Sequence, residues 1–187
     1  LPGHGESEVS GDKLTINNCL NDFSSVIEYV KSNYPSSKIS IFATSFGAYL
    51  TLLLLNKNII DLENVILRCP AIKMDEIFVN EIIREEMAIF EDRGYTVVGY
   101  ERELKVTYDF YLELKKLQIL DIYQSEFSRI LIIHGNQDTT APIADAITFS
   151  DKYGVSLKVV EGADHRFKKP GELERVVQYA INFIKTL

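Results

Sequence analysis

The chain predicts an α/β fold: a parallel sheet between helical layers, three layers in all, interrupted by a mostly helical insertion. Three observations carry this. Short apolar, β-branched runs alternate with amphipathic helical stretches, the pattern of parallel strands joined by right-handed crossovers. The alternation lapses between residues 73 and 124, where no core strand is evident. One strand, ISIFAT, runs through a sharp turn at Ala43-Thr44-Ser45-Phe46-Gly47 directly into an apolar helix.

Composition sets the outer limits. The 187 residues, 46% hydrophobic and 25% charged, are enough for one domain with a sizeable core. A formal charge of −7 speaks against nucleic acid and anionic membranes as partners. Cys19 and Cys69 fall in a predicted helix and a predicted strand, as small buried residues rather than a disulfide. With three histidines and no ligand cluster, neither a metal nor another cofactor is expected. There is no signal peptide, membrane-spanning run or internal repeat, so the cytoplasm is the expected location.

In chain order, residues 1–16 are glycine- and serine-rich and read as loop. From Asn17 to Tyr34 the residues Leu20, Phe23, Ile27, Val30 and Tyr34 share a helical face, with Asn17 or Asn18 as cap and Pro35 beyond the end. The elbow strand and its helix follow, then a buried strand from Asn64 to Cys69 ended by Pro70. Within the insertion, GYTVVGYERELKVTY predicts a short hairpin between two helical stretches. Its aromatics form either a core of their own or, for Tyr95, Tyr100, Tyr108 and Tyr111, part of a substrate pocket. The sheet resumes with Arg129 to His134, followed by Gly135-Asn136-Gln137-Asp138 and a helix opened by Pro142. A fourth strand, SLKVVEG, leads to Asp164 and His165. The last helix, 171–186, places Leu173, Val176, Val177, Ala180, Ile181 and Ile184 on one stripe for packing on the sheet.

Chemistry gathers at the carboxyl ends of the strands, where sites form in open parallel sheets. A strand-turn-helix elbow forces its central residue into a strained conformation and needs small neighbours two places away, here Ala43 and Gly47. Ser45 is therefore either a projecting nucleophile or simply the cap of its helix. As a nucleophile it needs a base and a third group to orient that base. His165 is the best-placed base, since His4 lies in a glycine-rich turn and His134 at a strand end. Asp138 is preferred as the acid, with Asp75 as a substitute, although Asp138 could instead cap the helix beginning near Ala141. Asp164, adjacent to His165, is poorly placed to converge on it.

With the elbow, the acid loop His134-Gly135-Asn136-Gln137-Asp138, the histidine loop Glu161-Gly162-Ala163-Asp164-His165 and the opening Pro2-Gly3-His4-Gly5-Glu6-Ser7, the chain resembles the α/β-hydrolases. The nearest branch is that of monoacylglycerol-lipase-like and cinnamoyl- or feruloyl-esterase-like serine esterases. The resemblance implies an α/β-hydrolase-like core at 1–72 and 125–187 and a cap at 73–124. It implies a Ser45-His165-Asp138 triad, the Phe46 backbone N–H in the oxyanion hole, and small to medium acyl or aromatic esters as substrates. Ala43 and Thr44 depart from the family's common Gly and His. The resemblance also implies further strands and a second oxyanion donor ahead of Leu1, so the chain reads as N-terminally truncated, with an exposed edge on the elbow strand open to a second copy. The rival readings are a peptidase of the same fold and a catalytically poor fragment acting by association.

Overall fold

The computed structural model describes residues 1–57, 62–83, 86–99, 103–127 and 129–186. Its strands are β1 (Ser40–Thr44), β2 (Asn64–Arg68), β3 (Tyr95–Val98), β4 (Leu104–Thr107), β5 (Ile130–Gly135) and β6 (Ser156–Val160). β1, β2, β5 and β6 form one parallel sheet in that order, and β3 pairs antiparallel with β4. The helices are α1 (Ile16–Asn33), α2 (Phe46–Asn56), α3 (Met74–Ile77), α4 (Met87–Arg93), α5 (Tyr108–Lys116), α6 (Ile119–Ile122), α7 (Ile143–Tyr153) and α8 (Glu172–Lys185). Among the described residues no helix is long and apolar enough to cross a membrane.

Contacts group the chain into two compact units. The first, Lys38–Lys73 with Ile119–Leu187, holds the parallel sheet. All six residues of β5 are buried, as a central strand covered on both faces requires. On one face Ile66, Leu131, Ile133 and Val160 pack against Val176 and Ala180 of α8. Helices α2 and α7 contact the strands without entering that cluster, so the opposite face has its own helical layer. α2 is apolar all round and buried from Ala48 to Leu55, the signature of an interior helix.

The second unit, Leu1–Ser37 with Met74–Gln118, includes the expected hairpin, β3 with β4. Residues 1–37 group with the insertion rather than with the sheet. Ile16 N–H donates to Glu113 Oε2 at 2.6 Å, and a Cβ at Gly11 would stand only 2.9 Å from Lys105 O, so the N-terminal loop lies directly on β4. Phe78, Phe90, Phe110, Tyr108 and Tyr111 stack among themselves here, with Tyr108 edge-on to Phe90 at 5.2 Å.

Two local expectations are corrected. The cap of α1 is Thr15, whose Oγ1 accepts from Asn18 N–H at 3.1 Å, and not Asn17 or Asn18. Asn18 instead donates its side-chain amide to Lys13 O at 2.8 Å, a turn-closing bond open to it once it lies inside the helix. On α8 only part of the predicted stripe faces the sheet. Val176 and Ala180 are buried, with Tyr179 and Phe183 packed beside them, whereas Leu173, Val177, Ile181 and Ile184 are exposed. Period and apolarity marked two adjoining stripes as one.

β1 ends the sheet order on one side, and Phe42 on it is 52% exposed. An apolar edge templates pairing with another chain. The 187-residue chain is accordingly expected to scatter light above monomer mass at tens of micromolar, and a clean monomer would show that this edge does not template pairing.

Candidate active site

Ser45 sits between β1 and α2 with φ 51° and ψ −118°. Non-glycine residues adopt such a conformation at a cost of about 1–3 kcal/mol, and they persist there only when held. Here the backbone is held on both sides: Ser45 N–H donates to Arg68 O at 3.0 Å, and Ser45 O accepts from Ala48, Tyr49 and Ala71 N–H. The side chain makes no cap bond to the helix, so the capping alternative has no support in the geometry. Ala43 is buried, and a Cβ on Gly47 would meet nothing within 4 Å among the described residues outside its own helix.

Asp138 follows β5 with its side chain fully buried. Oδ1 accepts from the N–H groups of Thr140 at 3.0 Å and Ala141 at 2.8 Å, and Oδ2 accepts from His165 Nδ1 at 2.7 Å. One oxygen closes its own loop and the other faces the imidazole; the capping role considered for this residue is not taken up, since α7 begins at Ile143 with Pro142 at its N-cap and no side-chain cap bond. Burial alone would raise its pKa. The hydrogen bonds from His134, His165, Ala141 and Cys69 outweigh that and hold it well below the usual carboxylate range. Asp164 turns its carboxylate into its own loop, accepting from Arg166 N–H at 2.8 Å. Asp75 lies in α3, in the other unit.

The loops after β5 and β6 are joined to each other. Gln137 N–H donates to Ala163 O at 2.9 Å, Asn136 Oδ1 accepts from Gly162 N–H at 2.7 Å, and the Asn136 amide also reaches Glu161. Gly135 permits this approach, because a Cβ there would lie 2.3 Å from Ala163 O. Gly135→Ala is expected to push the His165 loop away. The loss should be several kcal/mol at most and about 1–3 kcal/mol typically, as for overpacking in a core, whereas Gly47→Ala should be nearly neutral. Denaturant midpoints of the two variants check this pair.

The sequence passed over two residues in this neighbourhood. Cys69, with φ 43°, and His134 are both fully buried, and their side-chain ligand atoms lie within 4.8 Å of Asp138's. The trio fits a metal poorly: both Asp138 oxygens already accept hydrogen bonds, and His134 Nε2 lies between two acceptors and so carries a proton. Only the appearance of His134 in the same loop motif as Asp138 could have flagged it.

Of the tyrosines expected to line a pocket, Tyr108 and Tyr111 belong to the aromatic cluster of the second unit. Tyr95 borders a cavity of about 450 Å³ with Ile82, Arg93, Thr96 and Val97, and Lys105 Nζ stands 4.1 Å from its ring centre. Tyr100 lies outside the described residues.

A parallel sheet with a strained serine elbow at the end of one strand and a buried Asp-His pair at the ends of two others defines an α/β-hydrolase fold. The profile of the family described as "Serine aminopeptidase, S33" matches residues 1–102, and the chain belongs to that hydrolase family. A comparison with curated proteins finds no match. Among solved structures, the chain is similar to Est1E from Butyrivibrio proteoclasticus with ferulic acid bound, at 20% identity and TM-score 0.78, over 98% of this chain and 75% of that one. It is similar to mouse alpha/beta hydrolase domain-containing protein 10, at 16% identity and TM-score 0.71, over 97% and 74%. It is also similar to a Paleococcus ferrophilus monoacylglycerol lipase, at 13% identity and TM-score 0.66, over 98% and 80%. These likenesses show the fold.

Proposed function

We propose that the protein is a serine hydrolase that cleaves carboxylic esters of small to medium acyl or aromatic acids. The observation that carries the proposal is the 2.7 Å bond from His165 Nδ1 to a buried, ionised Asp138, in the same compact unit as the strained Ser45 elbow. In this reading His165 Nε2 takes the proton of Ser45 Oγ as it attacks the ester carbonyl. The Phe46 N–H, at the start of α2, donates to the developing oxyanion. His165 then protonates the departing alkoxide. Water, activated by the same nitrogen, releases the acid and restores Ser45. Asp138 keeps Nδ1 protonated throughout and stabilises the imidazolium.

Because Asp138 is held below the usual carboxylate range, it stays ionised through the ordinary carboxylate titration range. Its contribution to stability is complete above a pH of about 4 and declines only as pH falls below that. Substrates are short p-nitrophenyl esters and aryl esters, tested beside aminoacyl p-nitroanilides. Turnover of esters with no turnover of anilides is the expected result. The reverse preference would favour a peptidase, the reading that the S33 description supports.

A further inference from the structure

We propose that His134 is a positioning residue for the acid: its Nε2–H, donated to Ala141 O and facing Asp138 Oδ2, holds the acid loop and its carboxylate against His165. This rests on the triad reading above. His134 is the penultimate residue of β5 and is fully buried. Its Nε2 lies 2.8 Å from Ala141 O and 3.2 Å from Asp138 Oδ2. Both neighbours only accept, so the ring carries its proton on Nε2 and donates. Nδ1 is buried with no hydrogen-bond partner among the described residues.

An unpartnered buried ring nitrogen costs stability, and an apolar side chain would fill this strand position without that penalty. What the histidine alone supplies is the donor at Nε2. Its acceptor is the carbonyl that closes the acid loop, and Asp138 Oδ2 stands 3.2 Å from the same nitrogen, so one N–H ties residues 138–141 to the strand and faces the carboxylate. Asp138 Oδ2 thus accepts from His165 with the His134 N–H facing it at 3.2 Å, Oδ1 accepts from two backbone donors, and the carboxylate is fixed on both oxygens. Without His134, Oδ2 would lose one of the ring N–H groups that face it. Its charge would then hold the His165 proton more strongly, and the carboxylate would be free to turn.

The titratable groups facing Asp138 are Cys69 from the end of β2, His134 from β5 and His165 from the loop after β6. Arg68 acts on Cys69 from beyond it, and Asp145 of α7 is paired with Lys73 at 3.0 Å. None of the others can replace the donor that His134 gives.

The experiment compares His134→Phe, which keeps ring volume without the donor, with His134→Gln, whose amide N–H can reach the same place. His134→Met serves as a second donor-free variant if the Phe chain is unstable. Rates of Ser45 labelling by a fluorophosphonate and of p-nitrophenyl butyrate turnover are followed against pH, with thermal melts alongside. For the donor-free variants the expected result is a roughly tenfold lower plateau, about 1.4 kcal/mol, with KM changed less than about twofold. The acid limb should move up by on the order of half a pH unit, since an unshared carboxylate holds the base's proton more strongly. His134→Gln should restore the rate to within about threefold and the limb to its place. A structural tie alone would lower the melting temperature and leave the pH profile unmoved, and that outcome overturns the proposal, as does a Gln variant no better than Phe. Asp138→Asn in the same assay separates the two levels. If it keeps full activity, the triad reading fails and this inference with it. If it is inactive while His134→Phe is normal, only this inference fails.

Discussion

Ser45→Ala is expected to abolish labelling by an active-serine probe and to lower ester turnover on the order of 10⁶-fold, the scale seen when a triad nucleophile is removed. The fold should hardly notice. The conformation of residue 45 is fixed by backbone bonds to Arg68, Ala48, Tyr49 and Ala71, none of which uses the hydroxyl. Alanine bears the same strain at this positive φ as serine, so the backbone cost cancels between the two and the stability difference should be small, about 0.5 kcal/mol. Intact mass of the labelled protein gives the stoichiometry, and peptide mapping gives the site. Stoichiometric labelling that persists in Ser45→Ala would assign the nucleophile elsewhere.

The second large effect is expected at the acid. Asp138→Asn keeps the shape of the side chain, but its amide presents either a donor to His165 Nδ1 or a neutral oxygen. The imidazole is then driven to the wrong tautomer, and a loss near 10⁴-fold in kcat is expected. Unlike the serine change, this one should also cost stability. The carboxylate accepts three N–H donors inside the protein, and hydrogen bonds to a charged group are worth about 1.5–3 kcal/mol each against roughly 1 for neutral ones. Asp75→Asn is the control. Its Oδ1 is buried without a partner among the described residues, and His165 already has its carboxylate, so turnover should be near normal. Loss of activity at Asp75 with retention at Asp138 would transfer the role.

The strands and the elbow were legible because each is a local pattern. β-branched runs cut off by glycine, proline or asparagine gave β1, β2, β5 and β6 nearly to the residue, and the spacing of Ala43, Ser45 and Gly47 gave the turn. Pairing of Asp138 with His165 was anticipated from their positions after successive strands, which in a parallel sheet lie side by side. What escaped the sequence depends on neighbours far along the chain. Gly135 looked like a turn residue, yet what demands a glycine there is the carbonyl of Ala163. His134 was set aside as a base for its place at a strand end, and nothing local says that a carboxylate and a carbonyl will converge on its Nε2. The grouping of residues 1–37 with the insertion turns on contacts such as Ile16 with Glu113, separated by most of a hundred residues, which no periodicity encodes.

The placement of the two cysteines has a use outside catalysis. Both are free and fully buried, one in each compact unit: Cys19 in α1 and Cys69 at the end of β2. Burial pushes the Cys19 thiol up to about 11 and raises that of Cys69 as well, so neither offers a thiolate to a reagent while its surroundings stay closed. Alkylation under native conditions therefore reports opening events and not surface chemistry. Each unit carries its own internal clock, and the two rates, read separately by mass after digestion, measure whether the units come apart as one cooperative body or as two.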